Sequence, residues 1–345
     1  LPPPPDGSCG DTTSSDSNCG MCGHSCNGAG CSGGMCEAAL LGEVADQAPG
    51  RIVVNMTTLY FITANNLGDG KVYACPKTGC IPPTTLVSGM GNAADLALDM
   101  GSGQLFASDS TNSHIYTCNT SSCGAMTTLT VTGQGFAGLD VGPNELFAVY
   151  SVGSGDMEPY QLQPNGIVTA DLGKGTESAM WIAASGNGSV YWTSVDHVRF
   201  GKINIAGSAG NFTSKGPFVG TLAANMDFVA YMSQGTTGFD IMACSTSVNP
   251  CASPTVLATS EMASGQQGGL LVDPKDNVFW TARDAAGTHV LLRSCPAAGC
   301  GGNPKTLASV TTVGVGAPGG VASDMQNFYF TFSDTNDTYV YRVPK

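Results

Sequence analysis

Acidic residues recur at one position of a repeated aromatic segment in this sequence. The segments SVYWTSVD, NVFWTARD and NFYFTFSD each end in aspartate, and TLYFITANN carries an asparagine at the same place. These residues are Asn65, Asp196, Asp284 and Asp334. Gathered on one face, their oxygen atoms could bind a divalent cation or the hydroxyl groups of a glycan. Asp and Asn also accept hydrogen bonds from their own turn backbone, and this is the interpretation that we favour.

The histidines and glycines of the sequence do not form a recognisable catalytic motif. His114 and His289 occupy the same repeat position, where Lys71 stands in another copy, so a solvated strand end explains them better than a ligand set. No two histidines have the spacing of metal ligands such as H-x3-H. Two G-x-G-x-x-G matches do not open a helix after a strand, as phosphate binding requires. The sequence therefore predicts no catalytic residue, no metal site and no cofactor.

The element that must position these residues is a repeat of about 40 to 50 residues. Its shared aromatic residues are Tyr60, Phe106, Phe147, Tyr191, Phe279 and Tyr329. One further copy, VAYMSQ at residues 229–234, is degenerate; it is the fifth in chain order and brings the number of copies to seven. Each copy reads as four short strands, which is one blade of a β-propeller. The fold class predicted is therefore all-β, a seven-bladed propeller, with six blades as the alternative because the fifth copy is weak.

The N-terminal part of this repeat region predicts how the ring closes. The last copy, residues 318–345, supplies only three strands, and the segment near Ala39–Val44 reads as the missing fourth strand. We expect it to pair with the C-terminal strand, which leaves no free sheet edge at the joint. The predicted domains are a Pro-rich and Cys-rich extension, residues 1–36, and the propeller, residues 37–345.

A second set of polar residues precedes the turn between the first and second strands of the repeats. Its members are Asn55, Asp99, Asp140, Asp273 and Asp324. The repeat places them on the ring face opposite to the first acidic set. We expect all of them to form turns, since Asp and Asn hydrogen-bond to the backbone of tight turns.

The 14 cysteines fall into two groups. Six lie in the extension: Cys9, Cys19, Cys22, Cys26, Cys31 and Cys36. Eight form close pairs, which are Cys75/Cys80, Cys118/Cys123, Cys244/Cys251 and Cys295/Cys300. The short spacing after a strand predicts four local disulfides on exposed hairpins, while the pairing in the extension stays open and a zinc knuckle is its minor alternative. So many cysteines predict an oxidising, extracellular compartment, and we expect Leu1 to follow a signal cleavage site.

Charge excludes several classes of partner. The 345 residues include 13 Lys and Arg against 26 Asp and Glu, a net charge of −13. Too few cations are present to neutralise a run of phosphates, so nucleic acid and anionic membrane surfaces are not expected partners. The sequence also lacks the run of about 20 apolar residues that spans a bilayer.

Several stretches resemble a known group of proteins. DSNCGMCGHSCNGAGCSGGMC resembles the short Cys-rich module that precedes β-propellers in many secreted bacterial proteins. CPKTGCIPPTTLVSG and CPAAGCGGNPKTLAS are similar to the blade hairpins of the same group, and VYWTS and VFWTA are similar to the YWTD-type repeat, which usually has six blades. The resemblance covers nearly the whole chain and implies a secreted bacterial propeller. It implies no activity, because propellers host binding, scaffolding and catalysis alike.

Three functions from different classes follow from these observations. The first is a non-catalytic extracellular or cell-surface propeller, a structural or adhesive module that self-assembles into filaments through its N-terminal extension. The alternative is a carbohydrate-binding propeller that uses the Asp-bearing face for a surface glycan. A second alternative is a propeller-type lyase or hydrolase, which would need His and carboxylate groups that converge at the central tunnel. The expected partner is another copy of the chain.

Overall fold

The computed structural model describes residues 11–20, 25–26, 30–46, 48–63, 68–142, 145–152, 156–173, 178–214, 219–263, 269–312, 316–335 and 337–345. These residues form thirty β-strands and no helix, which confirms the all-β prediction. Abundant Gly, Ser and Thr with few charged helix formers account for this choice. Within the described ranges no helix has the length and apolar character of a membrane span.

Most of the strands form four-stranded antiparallel units, numbered here in chain order. Unit 1 contains β4 (Pro49–Val54), β5 (Thr58–Thr63), β6 (Gly70–Pro76) and β7 (Thr84–Met90). Unit 2 contains β8 (Ala93–Asp99), β9 (Gln104–Asp109), β10 (His114–Asn119) and β11 (Thr127–Leu129). Unit 3 contains β12 (Leu139–Gly142), β13 (Glu145–Ser151), β14 (Met157–Leu162) and β15 (Val168–Asp171). Unit 4 contains β16 (Ile182–Ser185), β17 (Ser189–Thr193), β18 (Val198–Lys202) and β19 (Gly210–Asn211).

The remaining strands follow the same pattern. Unit 5 contains β20 (Val219–Ala224), β21 (Phe228–Gln234), β22 (Phe239–Ser245) and β23 (Thr255–Ala263). Unit 6 contains β24 (Leu270–Val272), β25 (Asn277–Arg283), β26 (His289–Pro296) and β27 (Lys305–Thr311). Unit 7 contains β28 (Ala317–Ser323), β29 (Asn327–Ser333), β30 (Thr338–Pro344) and β3 (Ala39–Val44). The extension adds a small hairpin, β1 (Cys31–Ser32) and β2 (Met35–Cys36).

Five units are separate sheets, whereas units 5 and 6 share one eight-stranded sheet. They are joined because Met262 and Ala263 at the end of β23 pair with Arg283 and Ala282 of β25. The first strands of successive units contact one another in turn, and the first strand of unit 7, β28, contacts β4 of unit 1. The units therefore follow one another in a cyclic order.

The apolar core is divided among the interfaces between neighbouring units. Phe147 of unit 3 packs in one cluster with Trp192 of unit 4, and Ile241 of unit 5 packs with Trp280 of unit 6. The second strand of a unit is buried on both of its faces, as in β17, because sheets cover it on either side. This explains why the aromatic segments of the repeat are continuously apolar.

The polar residue that follows the aromatics also links neighbouring units. The hydroxyl groups of Ser108, Thr281 and Thr331 are buried and donate hydrogen bonds to the first strand, or the loop leading into it, of the next unit. For example, Thr281 Oγ1 lies 2.6 Å from the carbonyl oxygen of Gly319. A buried hydroxyl needs such a partner, and this partner lies on the adjacent sheet.

The segment predicted to supply a missing strand lies beside the C-terminal strand. β3 pairs antiparallel with β30, and the register places Leu40 opposite Tyr341 and Val44 opposite Thr338. Leu41 of β3 is buried in one cluster with Phe61 of unit 1 and Tyr329 of unit 7. The N-terminal strand therefore contributes to the packing between the last unit and the first.

The four predicted local disulfides are confirmed. Their Cα–Cα distances are 5.3, 5.5, 6.1 and 5.7 Å for Cys75–Cys80, Cys118–Cys123, Cys244–Cys251 and Cys295–Cys300. The loops that they close carry exposed residues, such as Thr78, Ser122 and Ala298, as predicted for hairpins at the surface. Cys75 and Cys295 are buried, because each disulfide joins the end of a third strand to a loop that lies against the preceding unit.

We call the four loops at residues 75–80, 118–126, 244–251 and 295–300 the clamp loops. The amide of Cys80 donates to the carbonyl oxygen of Leu41 in β3 at 2.7 Å. The amide of Met126 donates to Leu86 of unit 1 at 3.1 Å. The amide of Cys251 donates to Phe212, beside β19, at 2.6 Å, and Cys300 Sγ lies 3.5 Å from the carbonyl oxygen of Leu257 in unit 5. Three clamp loops therefore donate hydrogen bonds to the outer strand region of the unit before their own, and the fourth is in contact with it.

Removing the first of these disulfides is expected to loosen the joint between β3 and unit 1. The double substitution Cys75→Ser and Cys80→Ser frees a six-residue loop, which costs about 2 kcal/mol of stability by the chain-entropy estimate. Hydrogen exchange should then rise at Leu41 and its neighbours in β3. The control is Cys118→Ser with Cys123→Ser, where exchange should rise in β7 instead. Equal protection of β3 in both variants would contradict the clamp interpretation.

The described part of the extension packs on the propeller. Cys19–Cys31 and Cys26–Cys36 form two disulfides, whereas Cys9 and Cys22 lie outside the described residues. Cys19, Cys26 and Cys36 are buried in one cluster with residues of units 6 and 7, including Phe328. The extension is therefore fixed against the rim at these two units.

Candidate functional site

The first acidic set accepts hydrogen bonds from its own loops. Asp284 accepts the amides of Thr288 and His289 at 2.8 and 3.0 Å, the Thr288 hydroxyl at 3.1 Å, and bonds to His289 Nδ1 at 3.0 Å. These bonds, led by the His289 amide, lower the pKa of Asp284 to about 2. Asp284 therefore stays ionised at neutral pH and holds its hairpin turn together.

The other members of the set behave similarly. Asp334 accepts the amide of Asp337 at 3.0 Å and the hydroxyl of Tyr339 at 2.9 Å. Asp196 bonds to Nδ1 of the adjacent His197. Asn65 lies outside the described residues. Asp284 and Asp334 thus accept amides of their own turns, whereas the bond of Asp196 is to a neighbouring side chain.

The structure does not bring these carboxylates around one ion-sized site. In the part of the chain that is described, the one group of three His, Cys, Asp or Glu side chains close enough to share an ion is Cys19, Cys26 and Cys36. All three sulfur atoms are in disulfides and offer no thiolate to a metal. Glycan binding by Asp196, Asp284 and Asp334 stays a prediction.

On the opposite face, four of the five expected turn formers are confirmed. Asn55, Asp99, Asp273 and Asp324 each accept backbone amides two to four residues further on. Among the described residues Asp140 accepts no amide of its own turn, and residues 143–144 of that turn lie outside them. The hairpin from β12 to β13 is tighter, with Gly142 opposite Glu145, so Asp140 lies within the strand and bonds elsewhere.

Asp140 belongs to a buried ionic cluster that the sequence did not reveal. Arg51 of β4 lies between Asp95 of β8 and Asp140 of β12, with nitrogen–oxygen distances of 3.5 and 3.1 Å. Arg51 also donates to the carbonyl oxygen of Leu139 at 2.8 Å, and Asp140 accepts the amide of Ala184 at 2.7 Å. The cluster thus ties together the first strands of units 1 to 4.

Burial dominates the electrostatics of Asp95, whereas the two carboxylates outweigh burial and raise the pKa of Arg51. Asp95 is fully buried, which raises its pKa to about 7 although the Arg51 guanidinium opposes the shift. A cavity of about 360 Å³ lies beside Arg51 and Asp140 and is otherwise lined mainly by aliphatic residues of the first strands. The guanidinium is already bonded to two carboxylates and a carbonyl. We therefore interpret the cluster as a structural one that stabilises the packing of the first strands of units 1 to 4.

Exposed methionines occupy the turns on the face that carries Asn55 and Asp324. In units 1, 2, 5 and 7 the turn-forming Asn or Asp is followed directly by Met56, Met100, Met226 or Met325. Their exposed fractions are 86, 61, 61 and 95%. The signal is visible in the sequence as a repeated Asn-Met or Asp-Met dipeptide, which belongs to no catalytic or metal-binding motif.

Three of these methionines line one groove. Met56, Met100 and Met325 belong to units 1, 2 and 7, which are neighbours in the cyclic order, and they border a groove of about 620 Å³. We call this the methionine groove. Lys77 and Arg342 also line it. Exposed apolar side chains that meet in one concave surface are typical of an interaction site.

Asp324 holds the ammonium group of Lys77 in place within the groove. Lys77 Nζ lies 2.6 Å from Asp324 Oδ2 and 5.8 Å from the ring centre of Tyr329. Burial alone would raise the pKa of Asp324, but bonds from Lys77, the Gln326 amide and Tyr329 lower it to about 2. Asp324 therefore stays ionised at neutral pH and pairs with Lys77 within the groove.

Comparison with solved structures identifies the class of fold. Selenomethionine-substituted virginiamycin B lyase from Staphylococcus aureus matches with a TM-score of 0.64 at 13% identity, over 89% of this chain and 99% of that chain. The WD40 β-propeller domain of Doa1 matches with a TM-score of 0.65 at 11% identity, over 88% and 96%. A catalytically inactive variant of the lyase with quinupristin matches with 0.65 at 12% identity, over 89% and 98%. The chain therefore has a β-propeller fold.

These identities show the fold alone. No protein-family model matches the chain, and no curated protein matches it. No family match therefore supports the resemblance to secreted Cys-rich propellers. Function has to be argued from the chain's own surfaces.

Proposed function

We propose that this chain is a seven-bladed β-propeller, closed by β3, that serves as a non-catalytic extracellular structural or adhesive module. We further propose that it self-assembles into filaments through its N-terminal extension. Seven four-stranded units in cyclic contact support the blade count. The pairing of β3 with β30 supports the closure.

One observation carries the assembly role. The Cys-rich part of the extension is anchored by buried cysteines between units 6 and 7, so the residues before it are attached to a fixed point on the rim. A flexible attachment would lose orientation, whereas a fixed one directs each extension toward one neighbour. If the joint is heterologous and does not close, it generates a chain of copies.

The compartment follows from the disulfides. Six described disulfides, two in the extension and four in the clamp loops, fit an oxidising environment outside the cytoplasm. Secretion by a bacterium remains part of the proposal. An adhesive or structural role suits a ring whose clamp loops are each closed by a disulfide and lie against the neighbouring unit.

Electron microscopy of the unreduced full chain tests the proposal. We expect filaments for the unchanged chain and separate rings when the four prolines at residues 2–5 are replaced by serine. This variant keeps every cysteine, so the extension retains its disulfides. Dispersed single rings of the unchanged chain at all concentrations would contradict self-assembly, and filaments of the serine variant would contradict the role of the prolines.

A further inference from the structure

We propose that the methionine groove is the acceptor for the Pro-rich residues 1–5 of a second copy of the chain. This inference rests on the proposed self-assembly and names the surface that would receive the extension. The groove lies on units 7, 1 and 2, and the extension is anchored on units 6 and 7. The anchor of the donor and the acceptor groove are thus distinct but adjacent patches of the same molecule, and a head-to-tail chain requires that they be distinct.

The acceptor side has the right chemistry for a proline-rich segment. Methionine is unbranched and polarisable, so three exposed methionines can adapt to the shape of proline rings. Their side chains are 61 to 95% exposed in the single chain, so a large apolar surface is left to be covered. Met56, Met100 and Met325 all line this one groove, whereas the exposed Met226 does not.

The proline-rich donor segment, residues 1–5, is expected to lose little conformational entropy when it binds. Residues 1–5 read LPPPP and carry no side-chain charge. Proline-rich sequences favour an extended left-handed helix without internal hydrogen bonds, and apolar grooves bind such segments with little loss of chain entropy. Met-lined surfaces are suited to this kind of segment because they contact rings and aliphatic groups without fixed polar partners.

Charge complementarity supports the pairing. Asp6 directly follows the prolines, and the groove contains Lys77 and Arg342 in a chain with only 13 Lys and Arg. Lys77 is paired with Asp324, while Arg342 donates to the carbonyl oxygen of Lys77 at 3.4 Å. A carboxylate beside Arg342 would gain a charge-assisted contact.

The anchored module lies next to the groove. Cys26 lines a recess that it shares with Met325 and Arg342, and both of these residues also line the methionine groove. Ten residues span at most about 35 Å, so a donor segment can act only close to its anchor. Neighbouring copies would therefore meet with their rims in contact at this face.

Binding of a labelled peptide, LPPPPDGS, to the four-proline-to-serine chain tests the acceptor. We expect binding, and a weakening of about tenfold in the double variant Met56→Gln with Met325→Gln, which corresponds to about 1.4 kcal/mol. Met226→Gln is the matched control, because this methionine occupies the same kind of turn, with 61% exposure, outside the groove. Leucine at positions 56 and 325 should preserve binding. Equal affinities in all variants, or no binding at all, would overturn the proposal.

Mixing two deficient chains tests whether the joint lies between copies. The serine variant lacks the donor and the glutamine variant has a tenfold weaker acceptor, so at concentrations between the two dissociation constants each alone should remain single. Their mixture should form dimers, because one good donor and one good acceptor are present. A peptide that binds while the mixture stays single would show docking within one chain, and would overturn the second-copy proposal.

The two proposals fail in distinguishable ways. Filaments of the unchanged chain that persist in the glutamine variant would overturn the groove as acceptor and leave self-assembly standing. Absence of any filament would overturn self-assembly, and the second-copy joint with it. The substituted methionines lie on exposed turns, and thermal unfolding of each variant checks that the propeller is intact.

Discussion

Replacing Arg51 with methionine should destabilise the protein by about 3–5 kcal/mol at pH 8. The substitution removes the only cation that contacts Asp95 among the described residues and leaves a fully buried carboxylate with two backbone amides as partners. Breaking a buried pair is costly because the remaining charge has lost its compensation. Denaturant unfolding measures the loss.

The pH dependence separates this effect from simple loss of packing. Folded Asp95 keeps its proton up to about pH 7, whereas the unfolded chain loses it near the ordinary value of 3.8. Its contribution to stability therefore falls as the pH rises from about 4 to 7. Without Arg51 the pKa of Asp95 rises further, so the penalty of the variant should be larger at pH 8 than at pH 5.

A second substitution provides the control. Asp95→Asn in the Arg51→Met background removes the stranded charge and should recover part of the lost stability at pH 8. The coupling between the two sites follows from a double-mutant cycle. Equal losses at pH 5 and pH 8, with no recovery in the double variant, would contradict the role of the ionic cluster.

Gly320→Ala should cost about 3 kcal/mol, because the two first strands at the joint between units 7 and 1 approach too closely for a side chain. A Cβ atom there would lie 2.7 Å from the carbonyl oxygen of Gly50 and 2.8 Å from the amide nitrogen of Ile52. Both atoms are backbone and cannot move aside without opening the joint.

Gly124→Ala is the matched control, since a Cβ atom there would meet no atom within 4 Å. Thermal unfolding followed by circular dichroism should show a loss of several degrees for Gly320→Ala and little change for Gly124→Ala. A similar midpoint for both variants would show that the first strands can separate at this joint without penalty.

The sequence predicted the features that repeat. The aromatic positions recur in every copy, so period alone predicted the strands of all units, and cysteine spacing predicted the four local disulfides. It could not predict where each clamp loop binds, because Cys80 meets Leu41 only after two units have come together. The local spacing of the cysteines predicts each disulfide. The strand that the clamp loop contacts depends on how the units pack in the folded protein.

Features confined to one copy were missed for a related reason. Arg51 and Asp95 stand at equivalent places in β4 and β8 but are of opposite charge, Asp140 stands elsewhere in β12, and only cyclic packing of units 1 to 3 brings the three together. Asp140 was expected to form a turn by analogy with Asp99, but a shorter hairpin changed its position. The methionine groove depends on three neighbouring turns, which a reading of single repeats does not compare.

The clamp loops also bear on the order in which the chain can fold. Every clamp reaches a segment that was synthesised earlier, and the first holds β3, whose own sheet partner β30 comes last. Thr338 bonds to Asp46 across 292 residues of sequence, and pairings of such separation are slow because the chain must search for them. The 75–80 loop can hold β3 against the first unit before β30 is made. The C-terminal strand β30 then has only to pair with a strand that is already in position.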